Sequence, residues 1–222
     1  MKVIILCAGF HGKVLAETIR ACGRDELVAY LDDDARLTGT IRGGLPVLGP
    51  ISLLEAIVGR GEVDAAVIGL GNLEQLGIRR QIFEASRKIG LKLLQVIHPS
   101  AVVSSSAQCG DGVFLAPCSV VHVDSRIGQN VCVYTGSTID HDNLIGDHVF
   151  IGPGVHTAGQ VTIGAGAYLG PGTIVASGCT IGENSIIGAG SVVVRNIPSN
   201  VIAHGAPAQI RGSVDDWRLR KK

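Results

Sequence analysis

Aromatic rings are scarce in this chain: 1 Trp, 3 Tyr and 4 Phe make up 4% of its 222 residues. That suits a narrow core with no room for rings and excludes a wide, ring-packed one. Charge of one sign is missing as well. The 19 Lys and Arg balance 19 Asp and Glu, so there is neither a nucleic-acid footprint nor an acidic tail. The basic end, Arg218-Leu219-Arg220-Lys221-Lys222, reads as a solvated tail. No apolar run reaches the length of a membrane span. The 6 cysteines are scattered, with no CxxC pair and no Cys/His spacing of a zinc site. The first apolar stretch, Val3-Ile4-Ile5-Leu6, is a strand, too short for a secretory signal. The expectation is a reduced cytoplasm, with no nucleic-acid, membrane or metal partner.

Glycine is plentiful, at 31 residues, and much of it keeps time with a six-residue period. Every sixth residue from Val103 to Val193 points to one inward row: Val103, Cys109, Leu115, Val121, Ile127, Val133, Ile139, Ile145, Ile151, Thr157, Ile163, Leu169, Val175, Ile181, Ile187 and Val193. Thr157 alone is not apolar. The next residue is mostly small (Gly110, Gly128, Gly146, Gly164, Gly182), which is expected to let the chain turn. The residue four after is small or β-branched (Ser119, Ser125, Ser137, Val155, Thr173) and is expected to fill a corner. An uninterrupted period of this kind means a parallel β-helix of about five coils, each of ~18 residues and three flat sides.

The first hundred residues read differently. Val3–Leu6, Val28–Leu31, Ala65–Ile68 and Leu93–Ile97 are buried-strand patterns. Helical patterns lie between them: one after Lys13, one over Ile51–Val58 and one over Leu73–Ile89. Strand alternating with helix predicts a small parallel sheet with helices on both faces. His98-Pro99-Ser100 breaks the pattern, so a domain boundary is placed there. The first strand-to-helix turn, Cys7 to Lys13, is the natural ligand site of such a sheet, because a helix N-terminus favours anions. Asp32 and Asp33 end the second strand and can hold a hydroxyl; Gly69, Gly71 and Asn72 close the crevice. The dinucleotide fingerprint is absent, since Cys7 stands where its first Gly belongs. A tight turn without a ligand explains Gly9 and Gly12 equally well.

Four of the 7 histidines fall in the repeat: His122, His141, His148 and His156. His141 sits in Ile139-Asp140-His141-Asp142-Asn143, its most polar run. An imidazole beside a carboxylate suits general-base work near neutral pH. A polar coil surface or a metal site are the other readings, though the repeat does not obviously converge further metal ligands.

Several segments together resemble a known family. They are Ala8-Gly9-Phe10-His11-Gly12-Lys13, Leu31-Asp32-Asp33, Gly71-Asn72, Ile97-His98-Pro99-Ser100-Ala101, Ile139-Asp140-His141-Asp142, Ala158-Gly159 and Gly205-Ala206-Pro207-Ala208. Over nearly its whole length the chain resembles the sialic-acid O-acetyltransferase-type sugar acyltransferases, which include bacterial nucleotide-amino-sugar N-acetyltransferases. The resemblance implies a Rossmann-like α/β domain over 1–98 and an all-β left-handed parallel β-helix of hexapeptide repeats over 99–200. A C-terminal extension, 201–222, would contribute to the acetyl-CoA site. It implies a homotrimer with acetyl-CoA lying along the β-helix between subunits. The acceptor would be a nucleotide-linked 4-amino-4,6-dideoxy sugar of the GDP-perosamine kind, held by the N-terminal domain. By residue matching, His141 is the base and Asp142 its partner, a shorter acid than the Glu often found there. Gly159 and Ala189 offer backbone to the pantetheine arm, with Ala176 and Pro207 in the same site. Phe150 stands near the thioester, where some relatives have a second His. His11 and Lys13 flank the diphosphate in the turn of Ala8, Gly9 and Gly12, and Asp32 and Asp33 face the nucleoside.

Three other functions stay open at this level. A nicotinamide oxidoreductase on the N-terminal sheet would leave the β-helix idle. A non-catalytic trimer would bind a nucleotide sugar without acyl transfer. O-acetylation of a sugar hydroxyl would use the same base.

Overall fold

The computed structural model describes residues 1–219; Arg220, Lys221 and Lys222, the end of the basic tail, lie outside the described residues. The chain divides into two compact units, Met1–Pro99 and Ser100–Lys222.

In the first unit, β1 (Lys2–Leu6), α1 (Phe10–Cys22) and β2 (Glu26–Leu31) are followed by a hairpin of β3 (Ile41–Arg42) and β4 (Leu45–Pro46). Then come α2 (Leu54–Gly59), β5 (Ala65–Ile68), α3 (Leu76–Lys88) and β6 (Lys92–Leu93). The sheet order is β2-β1-β5-β6, and every pairing is parallel. Val3, Ile4, Ile5 and Leu6 are wholly buried, as a central parallel strand must be. The chain steps one way after β1 and the other way after β5. The carboxyl ends of β1 and β5 therefore flank a topological switch point, where such sheets bind ligands. The β3–β4 hairpin escapes the sequence pattern because its strands are two residues each. Its turn is legible in Gly43-Gly44, both at positive φ.

The second unit is a left-handed parallel β-helix. Its register advances by one coil at every step: Val102, Val120, Thr138, His156, Ile174 and Val192 are successive partners on one face. Gln108, Arg126, Leu144, Thr162 and Thr180 are partners on a second. Phe114, Cys132, Phe150, Tyr168, Ile186 and Ile202 are partners on the third. The prism thus runs past residue 200, because Val201–His204 is still a parallel rung. Gln209–Ser213 then folds back antiparallel on it, and the short helix Val214–Leu219 follows.

From Leu115 to Val193 the inward row is buried as the period requires, Thr157 with it, while Val103 and Cys109 of the first coil are half-buried. Corner hydroxyls are satisfied locally: Ser119 donates to the Ala116 carbonyl at 2.8 Å and Thr173 to that of Gly170 at 2.8 Å. The turning residue is not where the period suggested. The small residue after each inward position is needed because its neighbour coil is too close. A Cβ on Gly110 would lie 2.8 Å from the Gly128 carbonyl carbon. The left-handed residue comes two places later, as at Cys118, Asp124, Asn130, Asp142 and Gln160. Asn and Asp are among the residues that tolerate this conformation best.

The scarce rings are also not simply excluded from this unit. Phe114, Tyr134, Phe150 and Tyr168 form a ladder on the outside of the third face, with centroids 5.7, 5.0 and 5.3 Å apart. The narrow interior has no place for rings, but an outer face does.

Candidate active site

His141 lies on the edge where the first face turns into the second. It follows Ile139 of the inward row, and Asp142 occupies the left-handed slot at φ 55. That backbone bend throws both side chains outward. His141 Nδ1 stands 2.8 Å from Asp142 Oδ2, and the imidazole is about half exposed. Nδ1–H donates to the carboxylate, which leaves Nε2 as the acceptor of the ring. Asp140 Oδ1 accepts the His141 backbone N–H at 2.8 Å. The hydrogen bond to Asp142 is the main cause that raises the His141 pKa above its ordinary value. Desolvation, the next largest cause, opposes it, and the charges of Asp140 and then Asp142 raise it by less.

A buried polar cluster underlies this turn. Asn143 is fully buried, and its Nδ2 lies 2.8, 3.0 and 2.9 Å from the carbonyls of Asp140, His141 and Ala158. Ser125 Oγ donates to the Asp140 carbonyl at 2.6 Å and accepts the Asn143 N–H at 3.1 Å. Thr157 Oγ1 accepts the Asp140 N–H at 3.3 Å. Thr157, the one polar member of the inward row, thus lies under the one edge where chemistry is expected. Asn143 carries a similar signal: it occupies a corner slot otherwise filled by small or β-branched residues.

One coil on, Gly159 lies beside His141. A Cβ there would collide with Nε2 and Cε1 of the ring. Gly159 is therefore the space the imidazole occupies, in addition to any backbone it offers a ligand. Ala176 comes one coil further on the same edge, and Ser177 donates to the Gly159 carbonyl at 2.8 Å. Small side chains thus leave the edge beyond Nε2 open, a shape that fits the slender arm of an acyl thioester. Ala189 belongs to a different edge, packed against Gly170. Phe150 lies on another face of the prism from His141. It is buried in the ring ladder on the third face, stacked 5.3 Å from Tyr168. Within one chain it cannot meet a thioester at His141. Pro207 follows a cis peptide bond in the loop that closes the prism, where Ala208 N–H bonds the Val192 carbonyl at 2.8 Å.

The expected nucleotide-binding residues gather at the switch point. Cys7 has φ 79, the conformation for which Gly is the usual residue. Burial first, then Asp32 and Asp33, pushes its thiol up to about 12, so it is no nucleophile. Gly12 is obligatory: a Cβ would lie 2.5 Å from the Cys7 carbonyl oxygen. Gly9 begins α1 without any side-chain cap. Lys13 is exposed, 5.6 Å from the ring of Phe10, itself 89% exposed.

Three residues do more structural work than expected. Asp32 Oδ2 accepts the Ala8 N–H at 2.7 Å and Oδ1 that of Asp34 at 2.9 Å, so both oxygens already hold the turn. Asp33 Oδ1 accepts the Ile51 N–H at 2.8 Å, and Asn72 Oδ1 that of Gln75 at 2.9 Å. Gly71 is half-buried beside Asn72. His11 is 6% exposed, and its pKa is driven down by burial and by Arg79. It is a neutral group and not a cation available to a diphosphate. A buried cation that the sequence reading did not single out is Arg79 on α3, 4% exposed. Its signal was present: it shares the apolar face of Ile82, Phe83 and Ser86.

Among the described residues, no three His, Cys, Asp or Glu side chains converge as a metal site. No helix among them is long and apolar enough to cross a membrane.

A base role for His141 predicts a pH dependence. A base must be neutral to act, so activity falls as pH drops through the His141 pKa. Because that pKa is raised, the acid limb of kcat/KM is expected above the ordinary histidine value. In Asp142→Asn the main raising cause is gone, and the limb moves to lower pH while the plateau falls. A limb that stays in place would separate Asp142 from the titrating group.

Known proteins share both halves. The PglD N-terminal domain family matches residues 2–85, and the bacterial transferase hexapeptide (six repeats) family matches 144–177 and 160–195. UDP-N-acetylbacillosamine N-acetyltransferase of Bacillus subtilis (strain 168) is 37% identical over 118 residues, 51% of this chain and 50% of that protein. The chain thus matches about half the length of this curated relative. Perosamine N-acetyltransferase from Caulobacter crescentus, solved as its H141N variant with CoA and GDP-perosamine, is 37% identical with a TM-score of 0.89. That likeness covers 96% of this chain and 98% of the other. The acetyltransferase domain of PglB from Neisseria gonorrhoeae FA1090, solved with acetyl coenzyme A, is 36% identical with a TM-score of 0.84, covering 95% and 98%.

Proposed function

Because the chain belongs to the hexapeptide-repeat N-acetyltransferases of nucleotide-linked amino sugars, we propose that it moves an acetyl group from acetyl-CoA to the amine of a nucleotide-linked 4-amino-4,6-dideoxy sugar. GDP-perosamine, which the Caulobacter crescentus relative holds in its crystal, is the acceptor of first choice. The observation that carries the reading is the His141–Asp142 pair set beside Gly159 on an edge of small residues.

The amine attacks the thioester carbonyl directly. As the N–C bond forms, Nε2 of His141 takes the amine proton. Asp142 holds the imidazole by Nδ1 and stabilises its charged form. The C–S bond then breaks, and the imidazolium returns the proton to the leaving thiolate. General-base help of this kind is worth about 10²–10⁴-fold, and juxtaposition of the two substrates supplies a further large factor. No acyl-enzyme is needed, because the amine attacks the thioester directly. The working form is a homotrimer. Ala189, on another edge, reaches the acetyl-CoA arm only from a neighbouring copy. The product feeds surface-glycan synthesis from the cytoplasm.

The test is incubation with acetyl-CoA and a panel of GDP-, UDP- and dTDP-linked 4-amino sugars, following thiol release and product mass. The expected result is one added acetyl group on one panel member. Transfer only to a sugar hydroxyl would move the assignment to O-acetylation. Binding without transfer would leave a sensing module.

A further inference from the structure

Arg79 is a buried cation, 4% exposed. Among the described residues no carboxylate pairs with it, and its buried Nε has no hydrogen-bond partner. Nη1 donates to the carbonyls of Ile68 at 2.6 Å and Leu70 at 2.8 Å, on either side of Gly69. Gly69 in turn packs against Gly12 of α1, where an added Cβ would stand 2.9 Å from the Gly12 Cα. The guanidinium therefore lies behind the switch-point crevice, in electrostatic reach of Cys7 and His11 at the uncapped start of α1. A charge removed from water is costly, and the two carbonyls offset only part of that cost.

The peptide geometry adds a second effect. Arg79 draws the Leu70 carbonyl inward. In a trans peptide the N–H points opposite to the C=O, so the Gly71 N–H is turned away from Arg79, outward. A cation behind the wall, an outward amide and a helix N-terminus all favour one kind of ligand, an anion. We infer that Arg79 is a positioning residue for the diphosphate of the nucleotide sugar, supplying the positive field of the crevice and aiming the Gly71 amide. This rests on the proposed function for the identity of the ligand. It adds Arg79 to the Lys13 cation that the resemblance set beside the diphosphate.

A charge role and a structural role separate in binding. For Arg79→Met, affinity for GDP is expected to fall by at least about tenfold, while guanosine binding and the KM for acetyl-CoA stay unchanged. UDP with uridine, or dTDP with thymidine, replaces that pair if the accepted sugar carries another base. Arg79→Lys keeps the charge and is expected to fall between. Equal losses for nucleotide and nucleoside, or no loss, would overturn the inference. Should Arg79→Met fail to fold, the wild type decides. Its Arg79 Nε–H resonance must shift with inorganic pyrophosphate and not with the nucleoside; an unmoved resonance would overturn the inference. Pyrophosphate binding is read without turnover, so failure of every amino sugar to be acetylated would remove the proposed function and leave this test standing.

Discussion

Replacing His141 by Asn or Ala lowers turnover by at least ~100-fold while acetyl-CoA binding stays intact. The loss follows from what Nε2 does. With Nδ1 committed to Asp142 at 2.8 Å, it is the acceptor left to take the amine proton. Asp140 cannot substitute readily, because its Oδ1 is held by the His141 backbone N–H. Binding is spared because the imidazole projects from a turn built by other residues: Ser125, Asn143 and Thr157 hold that backbone without the ring. Steady-state rates with calorimetric titration of CoA check both halves. Near-normal turnover would remove His141 as the base. Lost turnover together with lost CoA binding would instead make it a binding residue.

Gly159→Ala is expected to cost about as much, through geometry alone. The substitution adds one methyl group at a backbone φ outside the left-handed region, so the coil itself tolerates it. The new Cβ meets Nε2 and Cε1 of His141, and the ring must swing away. The Asp142 hydrogen bond and the aim of Nε2 are lost together. A displacement of about 1 Å at a reacting group can cost ~100-fold. The double variant His141→Ala/Gly159→Ala isolates the cause. If Gly159 acts through the ring, the second change adds little to the first. Additive losses would show that the methyl blocks the thioester arm instead.

The β-helix was legible because a six-residue period has few other solutions, and the α/β unit because buried strands alternate with helices. The His141–Asp142 pair stood out as polar residues in an apolar repeat. Other members of the site were hidden by one missing operation. Position on the prism depends on the coil repeat and not on the hexapeptide alone. His141, Gly159 and Ser177 are successive residues at one coil spacing, as the register shows. Phe150 lies half a coil from His141 and so falls on the far face. Ala189 lies one hexapeptide short of the His141 edge. In the first unit, Asp32 and Asn72 were read for their chemistry, but short polar side chains at strand ends are also the residues that satisfy loop amides. Arg79 was hidden because a single charge on an apolar helix face reads as noise until its partners are seen to be carbonyls.

The constant register has a consequence for how this molecule can change. Each hexapeptide added or removed rotates everything downstream by a third of a turn. An indel of one hexapeptide between Asn143 and Ala158 would keep the apolar period of the inward row and still carry Gly159 to another edge, leaving His141 facing a stranger. Only whole coils conserve the address. The scaffold is forgiving of length in a way its chemistry is not, so lineages that keep this reaction should gain or lose sequence here in steps of one full circuit.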